Sequence, residues 1–255
     1  MGNTYWIKVL KKVAVGFIII MPSSVFSQTK STKIVSQEWI QYYATGTIAK
    51  NWMWSADAGY RYNELFGNPS QYLVRAALGY KVSNHLKVGT GFTHLGFYTS
   101  AKINKFEYRP YQEVALAEEF NHNLSIQHRF RIEERFFKNV VDGHVQPGNL
   151  FNFRFRYQVI MNCMILKLSA ANPKRALWLN IGDEIFINGG KEIAYNTFDQ
   201  NRFLVGPALS INGNLNIGII YNYQFAATML PGHYVHTDVF WLTIKQNFDI
   251  GKHKN

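Results

Sequence analysis

Residues 52–62 read Trp52-Met53-Trp54-Ser55-Ala56-Asp57-Ala58-Gly59-Tyr60-Arg61-Tyr62, and their alternation decides the fold class. On an extended strand successive side chains point to opposite faces. Trp52, Trp54, Ala56, Ala58, Tyr60 and Tyr62 therefore share one face, and Ser55, Asp57, Gly59 and Arg61 share the other. A helical period of 3.6 would mix the two sets. The same design recurs outward from this segment. Tyr72, Val74, Ala76, Leu78 and Tyr80 oppose Gln71, Arg75, Gly79 and Lys81. Leu124, Ile126, Phe130, Ile132 and Phe136 oppose Gln127, Arg129, Arg131, Glu133 and Arg135. Phe151, Phe153, Phe155, Tyr157 and Val159 oppose Asn152, Arg154, Arg156 and Gln158, and residues 215–225 repeat the pattern.

Counting such segments gives about eleven: near 36–44, 52–62, 71–81, 85–97, 107–120, 124–137, 149–167, 175–187, 198–211, 215–225 and 236–248. Most run to about ten residues or more, longer than the ~5 to 6 of soluble strands and close to the ~9 to 11 needed to cross a bilayer at a tilt. Tight polar turns at 82–84, 121–123 and 212–214 alternate with longer connections near 63–70, 98–106, 138–148, 188–197 and 226–235. Short turns on one side and long loops on the other characterise outer-membrane barrels. Bacterial single-chain barrels have even strand numbers, so the expected count is ten, or twelve with a strand hidden near 28–36 or 160–175. Pro110 and Pro207 fall inside these segments, where a missing N–H predicts bulges.

The N-terminus carries a different pattern. Lys8, Lys11 and Lys12 precede an apolar run from Val13 to Met21, and Val25-Phe26-Ser27 forms a small-residue site. This is the three-part layout of a cleaved export signal, with residues 1–27 removed and 28–255 forming one barrel domain. The run is shorter than the ~20 residues a spanning helix needs, and Pro22 ends it. The formal charge of +11 includes three lysines of this leader. A nucleic-acid role does not fit an exported chain. Cys163 is the only cysteine, which excludes an internal disulfide and any cysteine-based zinc cluster.

In hydrocarbon each unpaired backbone group costs several kcal/mol, so a spanning sheet must close on itself. The expected fold is all-β: a transmembrane antiparallel up-and-down barrel of 10–12 strands, with outer-membrane lipid as its surroundings. Its outer face must be apolar, with Trp and Tyr at the two interfaces. The aromatic content of 16%, with 6 Trp and 15 Tyr, suits two girdles; Trp39, Trp52, Trp54, Tyr80, Tyr157 and Tyr223 are the candidates. A soluble sandwich or lipocalin-type barrel gives the same alternation with the faces exchanged, and strand length and loop pattern weigh against it. The chain closes with Phe240, Leu242, Ile244 and Phe248 on one face, resembling the signal read by the outer-membrane insertion machinery, although Asp249 to Asn255 trail beyond it.

The inward faces then carry Arg61, Arg75, Arg109, Arg129, Arg131, Arg135, Arg154, Arg156 and Arg202, with Glu107, Glu113, Glu133 and Glu184 able to face them. Guanidinium suits planar bidentate contact with a carboxylate, so these thirteen residues are the expected lumen ion-pair network, filling a narrow barrel in place of an apolar core. Two other readings remain: a narrow passage favouring anions, since rings of Arg select them, and a lipid-active hydrolase using His94, His128, His233 or His236. No triad spacing supports the hydrolase, and His128 falls on the outer face of its strand. There is no phosphate-cradling glycine loop, His-x-x-x-His pair or dinucleotide fingerprint, so no cofactor is expected.

Taken together, Glu38-Trp39, Tyr60-Arg61-Tyr62, Arg75 with Gly79-Tyr80, Glu107-Tyr108-Arg109 with Gln112, and the run Arg129-Phe130-Arg131-Ile132-Glu133-Glu134-Arg135 form an ordered series. Arg154-Phe155-Arg156-Tyr157, Asp183-Glu184-Ile185-Phe186 and Asp199-Gln200-Asn201-Arg202 continue it. The series resembles the domain of unknown function 2490 group of Bacteroidota exported proteins, over nearly the whole mature chain. Pro110 and the extension between Tyr157 and Leu177 look less typical of that group. The resemblance implies an outer-membrane barrel and no assigned activity, so it transfers no catalytic residue.

Overall fold

A computed structural model of the protein describes residues 31–148, 150–191, 193 and 197–248. The expected leader and its cleavage site, and the residues trailing Phe248, lie outside them. Among the described residues there is no helix; the chain is a sequence of strands. They are β1 (Ser31–Thr47), β2 (Trp52–Asn63), β3 (Asn68–Lys81), β4 (Leu86–Thr99), β5 (Lys102–Asn121), β6 (Leu124–Val141) and the two-residue β7 (His144–Val145). They continue as β8 (Leu150–Lys167), β9 (Ala176–Gly189), β10 (Phe198–Ser210), β11 (Leu215–Ala227) and β12 (His233–Phe248). Each consecutive long strand pairs antiparallel with the next, and β7 pairs only with the end of β6.

Closure comes from one further ladder. β1 runs parallel to β12, from Ser31 opposite His233 to Gly46 opposite Phe248. The wall therefore has eleven strands, between the two even numbers expected. All eleven segments counted in the sequence are wall strands, and among the described residues no extra one is hidden near 28–36 or 160–175. An odd up-and-down wall must bring its first and last strands together in the same direction. The parallel ladder between β1 and β12 resolves that parity with no backbone edge left in the wall.

The connections correct a second expectation. The segments near 63–70 and 98–106 shrink to turns at 64–67 and 100–101, because strands β2 to β5 extend into them. At the other end the link 168–175 is as long as the longest opposite it. The two barrel ends thus differ little in loop length. The end holding 48–51, 82–85, 122–123, 168–175 and 211–214 is called the turn end below, and the opposite one the loop end.

Bulges also fall elsewhere than expected. Pro110 stays in register opposite Phe92, and Pro207 opposite Leu179. The register continues unshifted past Pro110 on the β6 side and past Pro207 on the β11 side. A single lost donor is tolerated without an inserted residue. At Gly206 the strands come so close that an added Cβ would lie 2.1 Å from the Ile219 carbonyl oxygen, so only glycine fits there. Register shifts occur instead at Arg61/Tyr62, Phe97/Tyr98, Glu119/Asn121, Met164/Leu166 and Phe198/Gln200.

The side chains sort with charges inside and apolar groups outside. Buried polar and charged residues outnumber buried apolar ones, while Phe130, Ile132, Phe155, Phe203, Ile219 and Phe240 are exposed. Trp39 departs from its expected girdle position. It is 2% exposed and faces the lumen, where the Arg61 guanidinium lies 3.7 Å above its ring and Trp241 meets it edge-on at 5.3 Å. The cation–π contact gives an inward indole a charged partner.

In a Cys163→Ser background, the pair Ile40→Cys and Leu242→Cys, directly opposed across the parallel ladder, is expected to oxidise to an intramolecular disulfide. Non-reducing electrophoresis of the folded protein reads this; absence of the cross-link would mean that the barrel does not close between β1 and β12.

Candidate functional site

The loop-end half of the lumen is a lattice of arginines and carboxylates. Alternation places its members: on β6, Arg129, Arg131, Glu133 and Arg135 sit two apart and face inward together, and Arg154 and Arg156 do the same on the neighbouring β8. Register then brings them into contact. Glu133 lies opposite Arg154, and Arg131 opposite Arg156.

Glu133 is the hub. It is fully buried, and its two oxygens meet Arg154 at 2.5 Å and Arg156 at 2.6 Å, with Arg109 at 3.7 Å and Arg131 at 3.9 Å. Glu107, equally buried, meets Arg109 at 2.7 Å and Arg135 at 2.6 Å. Glu184 extends the lattice along the wall to β9, meeting Arg156 at 2.7 Å and Arg129 at 2.8 Å, with Arg202 further off at 3.9 Å. Arg131 donates to Glu113 on β5 at 2.5 Å. Of the thirteen residues expected in the network, twelve are joined in this way or through Asp57, and Arg61 has no carboxylate within 4.0 Å among the described residues. Its Nη1 donates to Gln71 Oε1 at 2.6 Å instead.

Two carboxylates belong to the lattice that the expected set omits. Asp57 accepts from Arg75 Nε and from Gln41 Nε2, both at 2.6 Å. Alternation alone puts Asp57 on the inward face, so the signal was present. Asp199 meets Arg154 at 3.3 Å and accepts from Asn188 at 3.1 Å. Counting by twos from Arg202 places Asp199 outside. The bulge between Phe198 and Gln200 turns it inward, and no alternation rule reveals that. Phe186, fully buried, lies beneath Arg154, Arg156 and Arg202 at 4.5 to 5.1 Å, giving the guanidinium groups a flat apolar floor.

The lattice is densely packed and its members are buried or nearly so. Tyr111, Phe186, Glu107, Glu133, Glu184, Val239 and Asn222 rank as the largest fully buried side chains among the described residues. Towards the turn end the filling stops, and a cavity of about 560 Å³ opens among Gln41, Tyr43, Arg129, Gln158, Trp241 and Lys245, reaching Asn214 and Asn247 at the rim.

Of the candidate histidines, His94, His128 and His236 lie on the wall, and His233 is exposed at the start of β12. His94 Nε2 shares a hydrogen bond with the Tyr72 hydroxyl at 2.9 Å, His128 Nδ1 with that of Tyr157 at 2.9 Å, and His236 pairs with Tyr223. Outward carboxylates are paired too: Tyr221 donates to Asp238 at 2.5 Å and Asn201 to Asp183 at 2.9 Å. Glu38, on the outward register of β1, is nevertheless buried. The turn 64–67 folds over it, and the Phe66 amide donates to its carboxylate at 3.1 Å. Glu64, Leu65 and Phe66 take left-handed φ of 58°, 54° and 66° to make that turn, a conformation unfavourable for side chains of this size.

Glu133→Gln is expected to destabilise the barrel by roughly 3–5 kcal/mol, because it leaves several buried guanidinium groups without their shared counter-charge. Glu118→Gln, on an exposed site, is expected to change stability by less than about 0.5 kcal/mol. Denaturant titration of the detergent-solubilised protein compares them, and equal effects would show the hub contributes nothing.

Comparison with known proteins gives one match. The family model described as protein of unknown function (DUF2490) covers residues 36–229, a stretch running from within β1 through β11 and containing every member of the lattice. No curated protein matches the chain, and no solved structure does. The match spans most of the sequence, and the chain belongs to the DUF2490 family.

Proposed function

We propose that the protein is exported through a cleaved N-terminal signal, inserts in a bacterial outer membrane as an eleven-strand barrel, and is closed to through-passage by its charged lattice. The observation that carries this reading is the inverted sorting of side chains. A soluble barrel turns its apolar groups inward; here the interior is ionic, and the exposed wall is Phe, Ile, Leu and Val over almost every strand. Apolar surface contiguous on that scale needs a hydrocarbon phase or a partner. The complete hydrogen-bonded wall answers the same demand, since lipid offers no partner to an open edge.

Aromatic side chains gather near both barrel ends, as a membrane interface favours. Trp52 with Tyr80, and Trp54 with Phe248, stand at the turn end. Tyr60, Tyr62, Tyr72, Tyr98 and Tyr108 cluster towards the loop end around His94. The hydrogen bonds of Asp183 and Asp238 to Asn201 and Tyr221 reduce the penalty for polar atoms on such a wall.

Cell fractionation is expected to leave the protein in the outer-membrane pellet, released only by detergent and shifted in electrophoretic mobility by boiling. Recovery as a buffer-soluble monomer would overturn the reading. Ile132→Arg, on the exposed wall, is expected to destabilise the inserted barrel by about 2–4 kcal/mol. Planar-bilayer recording is expected to give no steady conductance above background, and a stable open level would mean that the lattice does not close the lumen.

A further inference from the structure

The cavity at the turn-end half of the lumen is unevenly charged. Its walls carry Arg61, Arg75, Arg109, Arg129, Arg156, Arg202 and Lys245 against a single lining carboxylate, Glu184. Four of these cations have close carboxylate partners: Arg75 has Asp57, Arg109 has Glu107, and Arg129 and Arg156 share Glu184. Three do not. Arg61 rests on Gln71 and the Trp39 ring. Arg202 reaches Glu184 only at 3.9 Å, and that carboxylate is already engaged twice. Lys245 has no carboxylate within 4.0 Å among the described residues, and its ammonium lies 5.9 Å from the Tyr43 ring.

A second, independent observation concerns hydrogen bonds. Buried donors at Arg61 Nε, Arg129 Nε, Arg202 Nε and Trp241 Nε1 have no acceptor among the described residues, and all four residues line this cavity. Water could satisfy the donors, but it brings no charge. A buried cation without a counter-ion is strongly unfavourable, and an oxyanion supplies the charge and the acceptors together. We propose that this chamber is a binding site for a small organic solute bearing a phosphate or carboxylate group.

Size and lining narrow the occupant further. A volume of about 560 Å³ is far more than an inorganic anion fills and falls in the range of small-molecule sites. Trp39, Trp241, Leu204 and Ile220 offer apolar surface to a carbon skeleton, and Gln41 and Gln158 offer amides to its hydroxyls. Arg61 and Arg202 both flank Trp39, which places the anionic end at the floor. Lys245, nearer the rim residues Asn214 and Asn247, would draw the anion inward by long-range attraction. Access is from the aqueous phase at the turn end, so the ligand is a free solute rather than a lipid of the wall. The inference rests on lumen geometry alone and stands or falls apart from the membrane placement.

Thermal unfolding of the detergent-solubilised full chain tests it, with glucose 6-phosphate, citrate and glucose as probes at matched ionic strength set by chloride. A saturable rise in Tm is expected with at least one of the two anions and none with glucose. A response to glucose 6-phosphate assigns a phosphoryl group, and one to citrate a carboxyl group. Arg61→Gln is expected to weaken that response about tenfold, the loss of one charge-assisted contact, and Lys245→Gln to weaken it about threefold, the loss of a nearby positive charge. Boiling-dependent mobility checks folding of each variant separately; should Arg61→Gln not fold, Lys245→Gln near the rim decides. No response to either anion, or folded variants that respond like the wild type, would overturn the proposal while leaving the fractionation result untouched.

Discussion

A sheet that closes on itself must satisfy every backbone donor and acceptor within the wall, and here that requirement meets an odd number of strands. Ten antiparallel ladders carry the chain round, and the eleventh, between β1 and β12, is parallel over sixteen residue pairs from Ser31 to Gly46. Everything else depends on this seam. Closure fixes the diameter, the diameter fixes how far each inward side chain reaches, and reach decides which arginine finds which carboxylate. Without the seam, both β1 and β12 would present an exposed row of unpaired amides and carbonyls, an open template for further pairing.

Inside the closed wall the protein substitutes an ionic lattice for an apolar core. Such pairs lose hydration on both partners, so the lattice persists only because its members are shared. Glu133 serves Arg154 and Arg156 closely and Arg109 and Arg131 at longer range, and Glu184 bridges β6, β8 and β10. Planar guanidinium groups suit this use, because each offers several donors in fixed directions and stacks on aromatic rings such as Phe186 and Trp39. The result ties a run of neighbouring strands, from β5 to β10, together on the inner face of the wall. Where carboxylates run out, the lattice gives way to the cationic chamber. Dense lattice and open chamber are thus two consequences of one imbalance, nine inward arginines facing too few acids.

The periodicity of two determined the strands, their approximate bounds and the inward placement of the arginines, because alternation is a local property and one residue is enough to define the next. Tyr60-Arg61-Tyr62 and Arg129-Phe130-Arg131 declare their faces without any knowledge of neighbours. Only the tertiary structure decided what required a third dimension. The parity of the wall rests on which strand meets β1, and a bulge at Phe198/Gln200 turns Asp199 inward against the alternation. Trp39 obeys the inward register of β1 but gains its reason for being there from Arg61, Arg202 and Trp241, all distant in sequence. The turn 64–67 buries Glu38 on a face that should be exposed. Division of the lumen into a packed half and an open half likewise depends on side chains from many strands meeting at one height, and a linear sequence carries no record of height.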